Sequence, residues 1–165
     1  MIPAASLLRP AQFDIASHYD VMEQLDRDVH DDRDLAASEV DTALRLIDHV
    51  PRSVFLPCFG TGRHIEHLLA CGVQRIVGVD LSPTCVKKAR DRFGDDPRVV
   101  LHVGDLTSWR TGERFESSIL LGNSFGDIVN PDLLLRVTRG ITDPLAHDGT
   151  FLMDYIGEGY LPRCQ

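Results

Sequence analysis

The chain has 165 residues, of which 43% are hydrophobic and 25% are charged, and its formal net charge is −8. This size and composition are typical of one globular domain with one core. No segment approaches the roughly 20 consecutive apolar residues that cross a membrane, and the first residues lack the basic-then-apolar pattern of a signal peptide. We therefore expect a soluble, cytoplasmic protein without a membrane partner.

The negative charge is concentrated near the N-terminus. Between Asp14 and Asp48, eleven acidic residues stand against three arginines, so this stretch carries −8 and the rest of the chain is neutral. Neither part attracts a phosphate backbone, so we expect no nucleic-acid partner and favour a small-molecule ligand. Alternating aspartates and arginines over residues 26–34 favour a solvated helix face or loop over a metal site.

The spacing of apolar residues predicts helices first and then strands alternating with helices. Two helices are predicted between Ser17 and Val50. Strands are predicted at 53–57, 73–79, 99–103, 118–121 and 150–153, with helices at 65–69, 83–93 and 132–145. This order predicts an α/β fold, a doubly wound and mostly parallel Rossmann-like sheet of about five strands with helices on both faces. We divide the chain into a helical arm at 1–52 and a core at 53–165.

A glycine turn follows the first predicted strand, at residues 58–64 (CFGTGRH). Glycines let backbone N–H groups and a helix N-terminus approach a ligand closely. A dinucleotide fingerprint would need a glycine where Ile65 stands, and a P-loop would need Gly-Lys-Ser/Thr at residues 62–64. The turn alone leaves two alternatives open, a nucleotide-type site and a plain tight turn.

Two aspartates end the next strands. Asp80 ends the second strand, where a carboxylate can accept the hydroxyls of a ribose bound over the glycine turn. Asp105 ends the third strand, and either aspartate alone could equally be a helix cap or a turn former. Three matched features at the same edge of the sheet favour a ligand site.

Neither the cysteines nor the histidines show a metal-binding pattern. The four cysteines lack C-x-x-C spacing, which argues against a zinc knuckle and against a disulfide framework. His64 and His67 are three residues apart and lack the H-E-x-x-H spacing. We therefore expect reduced cysteines and no metal site.

Four segments occur in the order of the motifs of a known family. They are 55–64 (FLPCFGTGRH), 77–82 (VGVDLS), 103–106 (VGDL) and 121–126 (LGNSFG). Over about residues 17–157 the chain resembles the class I S-adenosylmethionine-dependent methyltransferases of the small-molecule type. The resemblance implies S-adenosylmethionine as cofactor, S-adenosylhomocysteine as product, and transfer of a methyl group to an amine, hydroxyl or carbon of a small molecule.

The resemblance also implies a set of cofactor contacts. Residues 59–62 would lie against the methionine part, and Asp80 would hold the ribose diol. Asp105 and the N–H of Leu106 would contact the adenine edge, and residues 121–123 would line the cleft near the sulfonium. The implied cofactor-binding residues are Tyr19, Phe59, Gly60, Thr61, Gly62, Asp80, Leu81, Asp105, Leu106, Leu121 and Asn123.

The chain departs from the family at the start of the turn. Leu56 stands where the family has an acid, and Cys58 stands at the first glycine position. The acid helps to hold the amino-acid tail of the cofactor, which leaves Arg63 or Tyr19 to do so here. Tyr19 resembles a residue of the N-terminal lid that closes over the cofactor.

The family's sheet has seven strands, whereas five are predicted here. We therefore expect either a missing C-terminal segment or a second copy of the chain, in a homo-oligomer, to complete the sheet. No catalytic residue is assigned, and the candidates for a general base are His18, Tyr19, Asp154 and Tyr155.

Two alternative functions stay open at this point. One is a non-catalytic S-adenosylmethionine-binding or regulatory module, or a truncated methyltransferase, because Leu56, Cys58 and the strand count depart from the family. The other is an NAD-type oxidoreductase, which Ile65 in place of the third glycine disfavours.

Overall fold

The structure is a computed structural model that describes residues 32–122, 124–128 and 130–155. Its elements in chain order are α1 (Arg33–Ile47), β1 (Ser53–Pro57), α2 (Ile65–Ala70), β2 (Arg75–Asp80), α3 (Pro83–Phe93), β3 (Val99–Val103), β4 (Phe115–Leu120), one turn of 3-10 helix (Ser124–Asp127), α4 (Pro131–Thr142) and β5 (Leu145–Met153). The first predicted helix lies outside the described residues. No described helix combines the length and the apolarity needed to cross a membrane.

The five strands form one parallel sheet in the order β3-β2-β1-β4-β5. The chain moves outward from β1 to β3 and then returns to the other side of β1. Where the direction of winding reverses, the connections after the two adjacent strands diverge and leave a crevice at their carboxyl ends. The predicted Rossmann-like α/β fold is confirmed, and its switch point lies between β1 and β4.

Apolar side chains on both faces of the sheet form two cores. Val54 and Leu56 of β1 pack in a cluster with residues of α1, α2 and α3, whereas Phe55 packs in a second cluster with Val137 and Ile141 of α4. A strand covered on both faces has no polar side to show, so its sequence is an unbroken apolar run. The helices therefore lie on both faces of the sheet, as predicted.

Several predicted boundaries were wrong. The helix predicted over 132–145 ends at Thr142, because Pro144 has no N–H to donate and its ring would clash with the carbonyl four residues earlier in a continued helix. The last strand begins at Leu145 rather than Thr150. The prediction missed its first half because residues 147–149 (HDG) interrupt the apolar run. β2 begins two residues later than predicted, and β4 begins three residues earlier, at Phe115.

Glu39 of α1 ties this helix to the residues just before α2. Its Oε2 accepts a hydrogen bond from Nε2 of His64 at 2.7 Å and lies 2.8 Å from Nη2 of Arg63. Burial by itself raises the pKa of Glu39, but the hydrogen bond from His64 and the positive charge of Arg63 outweigh it and lower the pKa below its usual 4.5. α1 is therefore fastened to the segment that follows the glycine turn.

Replacing Glu39 with glutamine should remove a pH-dependent part of the stability. The folded-state pKa of Glu39 is depressed, so its contribution is complete above pH 4.5 and is lost as the pH falls through the folded-state value. A protonated Glu39 resembles glutamine, so the difference in melting temperature between the wild type and Glu39→Gln should shrink on acidification below pH 4.5. Circular dichroism melts measure this difference. Asp34→Asn, on the exposed first turn of α1, is the control, and a difference that does not change with pH would contradict the assignment.

β5 lies at the edge of the sheet, and of the strands that the structure describes only β4 pairs with it. Unpaired edge N–H and C=O groups recruit another strand, so we expect the 165-residue chain to self-associate in light scattering at micromolar concentration. Thr150→Lys, at an exposed position of β5, should weaken the association, whereas Thr42→Lys on α1 should not. A stable 18.4 kDa wild-type monomer would contradict this expectation.

Candidate functional site

A small cleft opens at the carboxyl ends of β1 and β4, which is the switch point of the sheet. Its lining residues are Leu56, Pro57, Cys58, Phe59, Gly62, His64, Ile65, Ile119 and Leu121. Three of the predicted cofactor residues, Phe59, Gly62 and Leu121, are among them. The other six were not predicted as cofactor contacts, because spacing in the sequence does not show which side chains of a turn or a strand face the cleft.

The turn between β1 and α2 passes through left-handed backbone conformations at Gly60 (φ +57°) and Gly62 (φ +78°). A Cβ on Gly60 would meet nothing within 4 Å, so the positive φ, and not packing within the described residues, favours glycine there. A Cβ on Gly62 would lie 2.9 Å from Cδ1 of Ile65 and 3.3 Å from Cβ of Ala89, so this glycine is required for packing. Gly60 therefore leaves open space over the turn, and Gly62 lets α2 and α3 pack beside it.

Cys58 also has a positive φ, of +50°, which is unusual for a residue with a side chain. Its N–H donates to the carbonyl of Val79 at 2.8 Å, so the turn remains bonded to β2. A left-handed backbone costs a residue with a Cβ roughly 1 to 2 kcal/mol, which explains why glycine suits this position. The chain keeps the backbone conformation expected of a glycine although cysteine occupies the position.

Asp80 connects the glycine turn to the start of α3. Its Oδ2 accepts the N–H of Gly60 at 2.8 Å, and its Oδ1 accepts the N–H of Ser82 at 2.9 Å. Ser82 in turn caps α3 by accepting the N–H of Cys85 at 3.1 Å, as an N-cap serine does. The structure thus brings Asp80 to the turn as predicted, and it adds a supporting role for the carboxylate. The predicted contact of Asp80 with ribose stays a prediction.

Asp105 and Leu106 follow β3 at the same edge of the sheet. The Oδ1 of Asp105 accepts the N–H of Thr107 at 2.8 Å, so this exposed carboxylate forms a turn. The side chain of Leu106 is buried in the second core, and its carbonyl lies so close to Gly140 that a Cβ there would be 2.0 Å away. The side chain of Leu106 is therefore not available to a ligand, and the predicted contact through its backbone N–H stays a prediction. Leu81 is partly exposed beside Asp80.

Arg63 carries a polar atom that lacks a partner among the described residues. Its Nη2 donates to Oε1 of Glu39 at 3.0 Å, whereas its Nη1 is buried and makes no hydrogen bond there. The guanidinium also approaches the end of β4, since Nη2 would lie 3.7 Å from a Cβ on Gly122. A buried donor without an acceptor is costly. The arrangement therefore indicates an acceptor beyond the described residues.

Asp154 joins the carboxyl ends of β4 and β5. Its Oδ2 accepts the N–H of Gly122 at 2.7 Å, and its own N–H donates to the carbonyl of Leu120 at 3.1 Å. Tyr155, the other candidate base in this region, is 70% exposed. Thr61, in the glycine turn, is buried, and the remaining predicted site residues, His18, Tyr19 and Asn123, lie outside the described part of the chain.

Comparison with known proteins supports the family that the motifs resemble. The family described as "Methyltransferase domain" matches residues 57–149, which is more than half of the chain. The dTDP-3-amino-3,6-dideoxy-alpha-D-glucopyranose N,N-dimethyltransferase of Streptomyces fradiae is 30% identical over 153 residues, which cover 90% of this chain and 56% of that protein. This chain therefore spans about half the length of that relative.

Solved structures share the fold. DesVI of Streptomyces venezuelae is 25% identical, with a TM-score of 0.66, and the match covers 87% of this chain and 58% of that one. The sugar N-methyltransferase KedS8 of Streptoalloteichus sp. is 21% identical, with a TM-score of 0.68 and coverage of 98% and 62%. The family match, the glycine turn and the sheet order agree, and the chain belongs to the methyltransferase domain family, among the class I S-adenosylmethionine-dependent methyltransferases.

Proposed function

We propose that this chain binds S-adenosylmethionine at the switch point and is the cofactor-binding part of an enzyme that methylates an amine of a small molecule. The observation that carries the proposal is the 2.8 Å hydrogen bond from Gly60 to Asp80. It joins a glycine with open space above it to the carboxylate at the end of β2. A carboxylate offers roughly four acceptor positions, so it can support the turn and accept a ribose hydroxyl together.

We propose the other cofactor contacts mainly at the same edge of the sheet. The turn at 59–62, with Thr61, would lie against the methionine part, and Asp105 and Leu106 would face adenine. Leu121 and Asn123 would lie near the sulfonium, with Tyr19 in the lid. The buried Nη1 of Arg63 is well suited to the carboxylate of the cofactor's amino-acid tail, because a guanidinium N–H and a carboxylate form a charge-assisted hydrogen bond.

The proposed chemistry asks the protein mainly to position two reactants. The amine nitrogen attacks the methyl carbon in line as the carbon–sulfur bond breaks, and the sulfur leaves as a neutral thioether. The nitrogen must first lose any proton that blocks its lone pair, and Asp154 and Tyr155, at the carboxyl end of β5, are the base candidates among the described residues.

We propose an amino sugar, carried on a nucleotide, as the acceptor. The support is the 30% identical relative, whose name describes N,N-dimethylation of such a sugar. The test is to incubate the protein with S-adenosylmethionine and an amino-sugar nucleotide and to look for added methyl groups by mass spectrometry. The same nucleotide with a hydroxyl in place of the amine is the control. Methylation of the hydroxyl compound alone would contradict an amine acceptor.

Thermal shift separates the proposed cofactor from the alternatives. A ligand that binds only the folded state raises the melting temperature, so S-adenosylmethionine and S-adenosylhomocysteine should do so and NAD should not. A shift with NAD alone would favour an oxidoreductase, and a shift with S-adenosylmethionine but no methyl transfer to any amine would favour a binding module. The cytoplasmic location and the absence of a nucleic-acid partner stay predictions from the sequence.

Asp80→Ala should weaken binding of S-adenosylhomocysteine roughly ten- to a hundredfold, because a lost charged acceptor costs about 1.5 to 3 kcal/mol. The melting temperature should also fall, because the N–H of Gly60 loses its acceptor. Asp96→Ala is the control, since Asp96 likewise accepts a backbone N–H, that of Arg98 at 2.9 Å, away from the cleft. Calorimetry that shows unchanged affinity in a folded Asp80→Ala protein would remove Asp80 from the site.

Gly60→Val should abolish cofactor binding, because a β-branched side chain fills the open space over the turn and disfavours a positive φ. Gly72→Val is a matched control, since Gly72 also has a positive φ, of +107°, and open space at its Cβ position, but lies at the other end of α2. Both variants should melt earlier than the wild type, and only Gly60→Val should fail to bind S-adenosylhomocysteine in calorimetry. Retained binding would place the cofactor elsewhere.

Arg63→Met should reveal a contact with the amino-acid tail. We expect an affinity loss of about tenfold or more for S-adenosylhomocysteine, the size of a lost charge-assisted hydrogen bond. 5′-Methylthioadenosine lacks the tail, so its affinity should change by less than about threefold. Because both ligands are measured on the same variant, any effect through Glu39 cancels. Equal losses for the two ligands would exclude the contact.

A further inference from the structure

Three side chains of different chemistry meet between α1 and α2. Asp41 comes from α1, and His67 and Cys71 come from α2 and the residue that ends it. One potential ligand atom from each lies within 4.8 Å of the other two, and Nε2 of His67 is 2.9 Å from Oδ1 of Asp41. None of the three lines the cleft at the switch point. The cluster is therefore a separate feature of the fold.

Helix geometry and a neighbouring ion pair hold the cluster together. His67 and Cys71 are four residues apart, and the N–H of Cys71 donates to the carbonyl of His67 at 2.9 Å, so their side chains share one face of α2. Asp41 is two residues beyond Glu39, which fastens α1 to His64 and Arg63. The relative position of the three groups thus follows from the packing of α1 on α2.

We propose that Asp41, His67 and Cys71 bind a zinc ion. Thiolate, imidazole and carboxylate are the protein ligands of zinc, and three of them with a water complete a four-coordinate site. Calcium and magnesium prefer oxygen ligands only. The side chains of His67 and Asp41 are 31% and 59% exposed, so an ion can reach them from solvent. The sequence predicted no metal site, because Asp41 is 26 residues from His67 and no short spacing connects them.

The distances allow the site to form through side-chain movement. Zinc bonds of about 2.0 to 2.3 Å at tetrahedral angles put ligand atoms roughly 3.3 to 3.6 Å apart. The contact between His67 and Asp41 must open by about half an ångström, and the distances to Sγ of Cys71, which are at most 4.8 Å, must close by no more than about one ångström. Zinc binds the Nε2 lone pair of neutral His67, whose proton is then on Nδ1, and the thiol of Cys71 releases its proton to solvent. The two ligand charges then balance the charge of the ion.

Cobalt provides a direct test, because Co²⁺ bound by a thiolate absorbs in the near ultraviolet and four-coordinate Co²⁺ absorbs in the visible. The reduced, metal-free 165-residue chain is titrated with Co²⁺ and then with Zn²⁺. We expect one Co²⁺ per chain, a thiolate band that Zn²⁺ abolishes, and a higher melting temperature with Zn²⁺. A wild-type titration without a thiolate band would overturn the proposal.

Two variants and one control assign the ligands. Cys71→Ser should lose the thiolate band, and His67→Gln should bind Co²⁺ at least about tenfold more weakly. His147→Gln is the control for His67→Gln, because His147 is also paired with an aspartate, Asp148, at 3.0 Å. Among the described residues, no cysteine joins that exposed pair in a possible metal site. The proposal would be overturned if Cys71→Ser kept the thiolate band or if His67→Gln bound Co²⁺ as tightly as the wild type. It would also be overturned if His147→Gln lost as much Co²⁺ affinity as His67→Gln. If Cys71→Ser does not fold by circular dichroism, His67→Gln decides.

Discussion

The carboxylate of Asp80 is the contact on which the cleft depends. β1 and β2 are neighbouring parallel strands, with Pro57 opposite Val79, so the residues after both strands emerge side by side. The turn after β1 leaves the N–H of Gly60 without a partner in the sheet, and Asp80 supplies the acceptor. The same carboxylate holds Ser82, the N-cap of α3. The turn is therefore shaped before a ligand binds, which reduces the ordering cost of binding.

α1 supplies the second support of the turn. Glu39 pairs with Arg63 and His64, which directly follow Gly62, so Asp80 and Glu39 hold successive parts of one loop. A half-buried carboxylate is costly unless donors compensate for the lost water, and two donors do so here. The apolar face of α1 also packs in the first core with β1 and α2. This part of the predicted N-terminal arm thus positions the site through charge and packing together.

Much of the fold could be predicted from local sequence signals, and so could the glycine turn and the strand-end aspartates of the site. Apolar runs of strand length that alternate with helical patterns predict a parallel sheet, because crossover helices must cover both of its faces. Ser82 and Pro83 mark a helix start within a few residues of Asp80, so their effect does not depend on distant parts of the chain. The glycines of the turn and the aspartates at strand ends could be predicted in the same way. Glu39 is harder to recognise. Its signal is that a charged residue stands three positions after the buried Ala36, and so on the face of α1 that packs on the protein.

By itself the sequence determined the elements, the class of the sheet and the family, since these depend on periodicity and on short motifs. Only the tertiary structure decided which distant side chains meet. His64 lies 25 residues from Glu39 and His67 lies 26 residues from Asp41, and both contacts exist only because α1 packs on α2. The early start of β5 was also hidden, because residues 147–149 (HDG) interrupt the apolar pattern and the register with β4 shifts between Leu145 and Thr150. Contacts across such separations depend on how elements pack, and local spacing carries no record of that packing.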